Sequence, residues 1–393
     1  MNILFLAPQP FYQERGTPIA ESLMLRVLSE RGEHVDVLTY HEGADVSYPN
    51  VKIHRIPALP FVHDVRPGFS GKKLLCDFVM FFKAVGMVLR GRYDVIHSVE
   101  EAAFMAWLIR LIFRVPYIYD MDSSLSQQIV QRFRRMAWLA GILAMLEGVA
   151  IAGAEAIIPV CEEMAESARK HRAKKVLVLQ DISLVGADPP SHQKTFYAAL
   201  PAHRGVCFAY LGNLEDYQGI DLLLESFAML VPKLDEVMLI VVGGAAPDVV
   251  EYRKRAEKMG LSDRVHFLGP RPLTEMGAVF DFADVLVSPR IKGGNTPMKI
   301  YSYMDSGKPV LATDISSHRQ VLNRDVALLA PPRPAEFAEA MCRIAEDPAM
   351  RERLAANARR LAAEQYSFGA FRTKVNGLYD WLGERVARVG STA

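Results

Sequence analysis

The sequence predicts an α/β protein of two doubly wound domains, each a parallel sheet with helices on both faces. Three observations carry this expectation. Short β-branched or apolar runs alternate with longer helical segments from end to end. Near-continuous apolar strands separated by helices imply a parallel sheet covered on both faces, and such a series occurs twice. The chain has 393 residues, half of them hydrophobic, whereas single cores stop growing near roughly 250–300 residues.

The first series runs through Asn2–Ala7, Val35–Tyr40, Val51–Ile56, Val95–Ser98, Tyr117–Asp120, Ala156–Val160 and Val176–Leu179. Met1 to Gln9 has a short apolar run with no basic stretch before it, so it reads as a strand and not a signal peptide. The longest apolar stretch, Met136 to Ala154, is interrupted by Glu147. A spanning helix needs about 20 predominantly apolar residues, so this stretch reads as a buried helix, and no membrane span is expected. Gly186 to Arg204, rich in Pro, Ser and His, reads as the interdomain connection.

The second series is Val206–Leu211, Val237–Val242, Val265–Leu268, Val285–Ser288, Val310–Thr313 and Ala327–Ala330. The tail carries Phe368, Phe371, Val375, Leu378, Tyr379 and Leu382 at helical spacing, which predicts helices packing back on the body. The expected division is an N-terminal domain over 1–185, joined by tail helices at about 370–393, and a C-terminal domain over 204–369. Lys+Arg 46 against Asp+Glu 45 gives a net charge of +1, which argues against a nucleic-acid partner. Cys76, Cys161, Cys207 and Cys342 lie far apart. That spacing fits reduced thiols in a cytoplasmic protein and gives neither a zinc site nor a disulfide frame.

Ligands of open α/β sheets bind beyond the carboxyl ends of the strands. Two such domains would face a central cleft, with the chemistry in the loops that follow strands. In Pro8 to Pro18, Gly16 gives a flexible approach, Thr17 can cap a helix and Pro18 suits its first position. The loop is either an ordinary capped helix start or an anion site. The same grammar recurs at Ser288 to Lys299: Thr296 as cap, Pro297 as helix start, and a stop near Gly307. Here Lys299 falls in a first helical turn, where the dipole disfavours a cation, with Arg290 and Lys292 just upstream. Three cations at the positive end of a helix make sense if an anion binds there, and Gly293-Gly294 permits close backbone approach.

Asp120 and Asp122 share a face at a strand end, as residues i and i+2 do. They suit helix capping, a cleft-facing role or, more weakly, a metal-binding pair. His97 reads as a core histidine, while Glu100 and Glu101 end its strand. Gly212-Asn213, Tyr217-Gln218-Gly219 and Gly243-Gly244 follow strands of the second series. Two basic aromatic stretches, Lys72 to Lys83 and Arg132 to Trp138, match either an interfacial helix or a buried helix with snorkelling lysines.

These residues, in this order, resemble the family 4 glycosyltransferases of the GT-B fold. The likeness covers most of the chain. It is strongest from Tyr210-Leu-Gly-Asn-Leu and Gln218-Gly-Ile-Asp-Leu through Val241-Val-Gly-Gly and Val265-His-Phe-Leu-Gly269. It continues through Phe282-Ala-Asp-Val-Leu-Val-Ser-Pro289 and Tyr303 to Thr313, and the tail around Tyr366-Ser-Phe is similar to the family's final helices.

The resemblance implies a hexosyltransferase-like enzyme with a nucleotide-sugar donor in the C-terminal domain. It also implies a glycan, lipid-linked or other hydroxyl acceptor against the N-terminal domain. The sugar would be transferred with retention and without a metal or other cofactor. The implied donor set is Gly212, Asn213, Gln218, Gly243, Gly244, Gly269, Lys292, Gly294, Asn295, Thr296, Pro297 and Ser302. Gly16, Thr17, Glu100 and Asp120 fall on the acceptor side, and Asp122, Arg290 and Lys299 are the catalytic candidates.

The family's charged markers are changed. Asn213 stands for an arginine, Gln218 for a lysine, Gly294 and Ser302 for paired glutamates, and Asp122 for a histidine. Two readings follow. In one the site is rebuilt around Arg290, Lys292 and Lys299, with neutral hydrogen bonds from Asn213 and Gln218. In the other the chain is an inactive binding or scaffold partner in glycan assembly. With the basic aromatic stretches, the first reading gives a cytoplasmic enzyme, either free or in peripheral contact with the inner face of the cell membrane.

Overall fold

The computed structural model describes residues 1–13, 16–65, 68, 70–123, 140–185 and 205–390. Two compact units emerge: Met1–Gln180 together with the segment from Phe371 onward, and Asp181–Ala370. The expected connection, Gly186 to Arg204, and the basic stretch at Arg132 to Trp138 lie outside the described residues.

In the first unit the strands are β1 (Asn2–Ala7), β2 (His34–Thr39), β3 (Val51–Arg55), β4 (Val95–Val99), β5 (Tyr117–Met121) and β6 (Ala156–Pro159). All pair in parallel, in the order β3-β2-β1-β4-β5-β6. The helices are α1 (Gly16–Glu30), α2 (Gly71–Arg90), α3 (Ala102–Phe113), α4 (Ala140–Gly153) and α5 (Glu162–Lys170), with the segment from Phe371 onward forming most of α13 (Phe368–Gly390).

Alternation along the strands sorts the two faces. Leu4, Leu6, Ile96, Tyr117 and Tyr119 share a core with Cys76, Met80 and Ala84 of α2, Met105 and Ile109 of α3, and Ile151 of α4. Phe5 and His97 point to the opposite face and stack at 4.4 Å.

There His97 is wholly buried. Its Nε2 lies 3.1 Å from Asp120 Oδ2 and its Nδ1 2.7 Å from the Tyr379 hydroxyl of α13. A carboxylate only accepts, so Nε2 carries the proton and Nδ1 accepts from Tyr379. Tyr379→Phe therefore leaves a buried nitrogen without a donor. It should lower stability by about 1–3 kcal/mol, read as an earlier denaturant midpoint, with little change in folded-state circular dichroism.

Three expectations in this unit are corrected. Val176–Leu179 forms one isolated bridge to Ile157 in place of a strand, although Leu177 and Leu179 still donate to β6 carbonyls. Thr17 does not cap α1, because the helix has already begun at Gly16. The apolar helix α4 is not buried all round, since Ile142, Met145, Leu146 and Val149 are exposed. No helix among the described residues is long and apolar enough to cross a membrane.

The second unit repeats the plan. Its strands are β7 (Val206–Leu211), β8 (Val237–Val242), β9 (Val265–Gly269), β10 (Val285–Ser288), β11 (Val310–Thr313) and β12 (Leu328–Ala330), parallel, in the order β12-β11-β10-β7-β8-β9. Its helices are α6 (Ile220–Leu230), α7 (Ala246–Lys258), α8 (Met276–Phe282), α9 (Lys299–Asp305), α10 (Ser316–Arg319), α11 (Pro334–Glu346) and α12 (Pro348–Gln365). Phe208, Tyr210, Leu239 and Val241 bury one face against α6 and α11, while Cys207, Ala209, Ile240 and Leu286 bury the other against α8 and α9.

In each sheet the chain winds outward from one strand and returns to that strand's other side. The resulting switch points lie at β1/β4 and β7/β10. A crevice opens beyond the carboxyl ends of such strand pairs.

Candidate functional site

In the second unit the loops after β7, β8, β9 and β10 are tied together by their backbones. Gly212 N–H donates to Val242 at 2.9 Å, Gly243 N–H to Gly269 at 2.8 Å, and Ile291 N–H to Tyr217 at 2.9 Å. Two glycines permit this. A β-carbon on Gly243 (φ 110°) would lie 2.1 Å from the Gly212 carbonyl oxygen, and one on Gly219 (φ 74°) would lie 2.1 Å from that of Pro289. Only glycine accepts both the dihedral and the approach.

Beside these loops stand two cations. Lys299, the first residue of α9, places its ammonium 3.8 Å from the Tyr210 ring centroid and donates to Gln218 Oε1 at 3.2 Å. Arg290 is 7% exposed, and its guanidinium lies 5.2 Å from the Tyr217 ring centroid. It donates to the Lys292 carbonyl at 2.6 Å and to Asn295 Oδ1 at 3.4 Å. Burial, then the neighbouring Arg290 charge, pushes the Lys299 ammonium well below the usual lysine range. Burial likewise lowers Arg290. Among the described residues no carboxylate pairs with either cation. Two desolvated like charges held together without a counter-ion are costly, and an incoming anion removes that cost.

A polar scaffold holds Arg290 from below. The Thr313 hydroxyl donates to the Arg290 carbonyl oxygen, and the buried His318 bridges Ser288 Oγ (2.9 Å) and the Thr313 carbonyl (2.8 Å). Burial, with the charges of Lys299 and Arg290, lowers His318 to about 4, so it stays neutral and adds no third charge.

Gln218, Asn295, Arg290 and Lys299 thus come together with the glycines 212, 243 and 244. Asn213 sits at the rim, exposed, its amide 3.4 Å from the Tyr217 hydroxyl. Other expected site residues have different surroundings. The Lys292 side chain is exposed, and the loop is held by its carbonyl instead. Thr296 does not cap α9, because its hydroxyl donates to the Ser317 carbonyl at 2.8 Å and the helix begins two residues past Pro297. Ser302 accepts from the Leu184 amide at 3.0 Å. Gly294 accepts from Gln320 at 2.7 Å, and Gly269 ends β9 in open space. Tyr210, Tyr217, Thr313 and His318 escaped sequence reasoning; the tyrosines sat inside the family motifs, but nothing in the sequence signalled His318.

In the first unit, the ends of β4 and β5 bring Glu100 and Asp120 together. Glu100 N–H donates to the Asp120 carbonyl at 2.9 Å, and Ser123 donates to Glu100 Oε1 at 2.9 Å. The Asp120 carboxylate is engaged by His97, and Asp122 follows β5, half-buried. Gly16 and Thr17 open α1, with free space around Gly16. Two further groups here were not among the expected site residues. One is buried Glu21, whose carboxyl is pushed well up by burial and by Asp120, Glu100 and Glu101. The other is Lys73, which pairs with Glu101.

The model described as "Glycosyl transferase 4-like domain" matches residues 22–180, and that described as "Glycosyl transferases group 1" matches residues 193–361. D-inositol 3-phosphate glycosyltransferase of Corynebacterium efficiens is 25% identical over 90% of this chain and 87% of its own. Sucrose-phosphate synthase from Thermosynechococcus elongatus superposes with a TM-score of 0.79 at 21% identity, over 98% of this chain and 99% of that one. Anabaena HepE in complex with UDP gives 0.73 at 19%, over 97% and 100%. Two matched domains in this order, on two doubly wound units, make the chain a member of the family 4 glycosyltransferases of the GT-B fold.

Proposed function

We propose that the chain transfers a sugar from a nucleotide-diphosphate donor, bound by the second unit, to a hydroxyl acceptor taken by the first. The observation that carries this reading is the pairing of buried Arg290 with half-buried Lys299, which among the described residues has no carboxylate partner at the β7/β10 switch point. A diphosphate is the counter-ion such a pair lacks, and the UDP held in the HepE complex is of that class. As the glycosidic bond breaks, negative charge grows on the departing phosphate oxygen. Preorganised cations stabilise that charge most where water is excluded. The same two cations supply the charge that a metal would otherwise provide, so transfer proceeds without one. The acceptor oxygen bonds to the anomeric carbon on the face from which the phosphate oxygen departs, and that departing oxygen takes the acceptor's proton, which gives retention without a carboxylate nucleophile.

On the acceptor side, Glu100, Asp120 and Asp122 offer hydrogen bonds to a glycan or lipid-linked hydroxyl. A lipid-linked acceptor and peripheral contact with the inner face of the cell membrane belong to the same proposal.

Diphosphate binding should draw a proton onto Lys299, whose ammonium is depressed in the free protein. Affinity should therefore be constant below that depressed value and fall as pH rises through it. Titration calorimetry of nucleoside diphosphates in two buffers of different ionisation enthalpy reads the proton uptake directly. Absence of binding to any nucleoside diphosphate or nucleotide sugar at millimolar concentration would leave the inactive scaffold as the standing interpretation.

A further inference from the structure

The helices α2, α3 and α4 cover one face of the first sheet side by side, with α3 touching both neighbours. Each turns one apolar stripe inward, as a covering helix must. Each also turns a second one outward. On α2 the inner stripe is Cys76, Met80, Ala84 and Val88, and the outer one is Leu74, Phe78, Phe82 and Leu89, with Phe78 62% exposed. On α3, Leu111 and Ile112 are 62% and 65% exposed. On α4 the exposed Ile142, Met145, Leu146 and Val149 follow i, i+3, i+4, i+7, the spacing of a stripe that is normally buried.

Charge completes the pattern. None of the three helices carries an exposed acidic residue: Asp77 is half-buried and accepts from the Tyr40 hydroxyl at 2.5 Å, and Glu147 is buried. The exposed charges are all basic and sit at helix ends: Lys72 and Arg90 on α2, Arg92 just past it, and Arg114 just past α3. Exposed apolar side chains spread over three adjacent helices and rimmed by charge are the pattern of a surface that meets a partner or a membrane.

We infer that the outer face of α2, α3 and α4 docks on an anionic lipid bilayer, its apolar centre entering the headgroup boundary and its basic rim meeting lipid phosphates. The matched signs select this occupant, since a basic rim adds attraction to anionic lipid and none to a neutral apolar partner. The inference deepens the peripheral contact proposed above and rests on that reading only for its biological setting. The surface itself follows from the first unit alone.

The test uses the full-length chain with vesicles of phosphatidylglycerol and phosphatidylcholine in equal parts, against pure phosphatidylcholine vesicles. The wild type should float with the anionic vesicles, less at high salt, and weakly with the neutral ones. The double variants Phe78→Ser/Phe82→Ser and Leu111→Ser/Ile112→Ser should each lower partitioning by about tenfold or more. These positions face solvent, so both variants should keep wild-type circular dichroism and nucleoside-diphosphate affinity.

Three results would overturn the docking: no flotation of the wild type on either vesicle, flotation indifferent to both double variants, or a wild-type dimer that the variants convert to monomer without vesicle binding. The last would assign the face to a second copy of the chain. Diphosphate affinity is measured on the same samples, so failure of docking and failure of the donor reading are told apart.

Discussion

Lys299→Met is expected to weaken nucleoside-diphosphate binding by about 30-fold or more and to remove sugar transfer, while leaving the ligand-free protein at least as stable as wild type. The first half follows from the loss of one member of a buried charge pair, which costs about 2–5 kcal/mol of binding. The second half follows from the direction of the lysine's shift. Its ammonium is harder to protonate folded than unfolded, so over the pH range between those two values the unfolded chain binds more protons. Stability there rises with pH, and below that range the fold carries the full cost of the buried charge. Methionine fills the shelf on Tyr210 without that charge, so the melting midpoint of the variant should match or exceed that of wild type, most clearly on the acid side. Calorimetric titration with thermal unfolding at two pH values checks both halves. A variant that lost stability and binding together would show that Lys299 serves the fold and not a ligand.

Gly243→Ala is the second large effect, and it acts through the backbone. The residue sits at φ 110°, and its new methyl would fall 2.1 Å from the Gly212 carbonyl oxygen. The loops after β7 and β8 must then part, and the Gly212–Val242 and Gly243–Gly269 hydrogen bonds part with them. Left-handed strain and the forced shift together should destabilise the second unit by roughly 3 kcal/mol. Because the same loops frame Lys299, diphosphate affinity should fall in parallel with the melting midpoint. Gly277→Ala, on a helix with open space around the site, serves as the control and should leave affinity unchanged and the melting midpoint equal or slightly higher.

The architecture was legible because apolar runs of five or six residues, punctuated by helical stretches, admit few arrangements other than parallel sheets. Asn2–Ala7, Val206–Leu211 and Val237–Val242 fall where the pattern puts them, to the residue. Val176–Leu179 did not, because a run read for its composition alone says nothing about whether a partner edge is free along its whole length. The long apolar stretch around α4 misled for a related reason. Hydropathy marks a segment that avoids water but does not say whether the chain's own core supplies the cover.

At the site, Arg290 and Lys299 were legible because lysine at a helix start is an anomaly that calls for an explanation. Thr296 was misread because the sequence cannot tell a hydroxyl turned back on its own helix from one that reaches the Ser317 carbonyl. His318 was invisible, since its part lies wholly in three-dimensional neighbours contributed by β10 and β11.

The Tyr379–His97 bond has a consequence for biogenesis. The first unit consists of residues made early and one helix made after everything in the second unit. While the ribosome works through the intervening 190 residues, the flank of the nascent sheet around Phe5 and His97 stands bare, without its closing helix. The chain therefore has to keep an unfinished half in solution while a complete one forms behind it. That interval is when it is most exposed to aggregation and most dependent on chaperones.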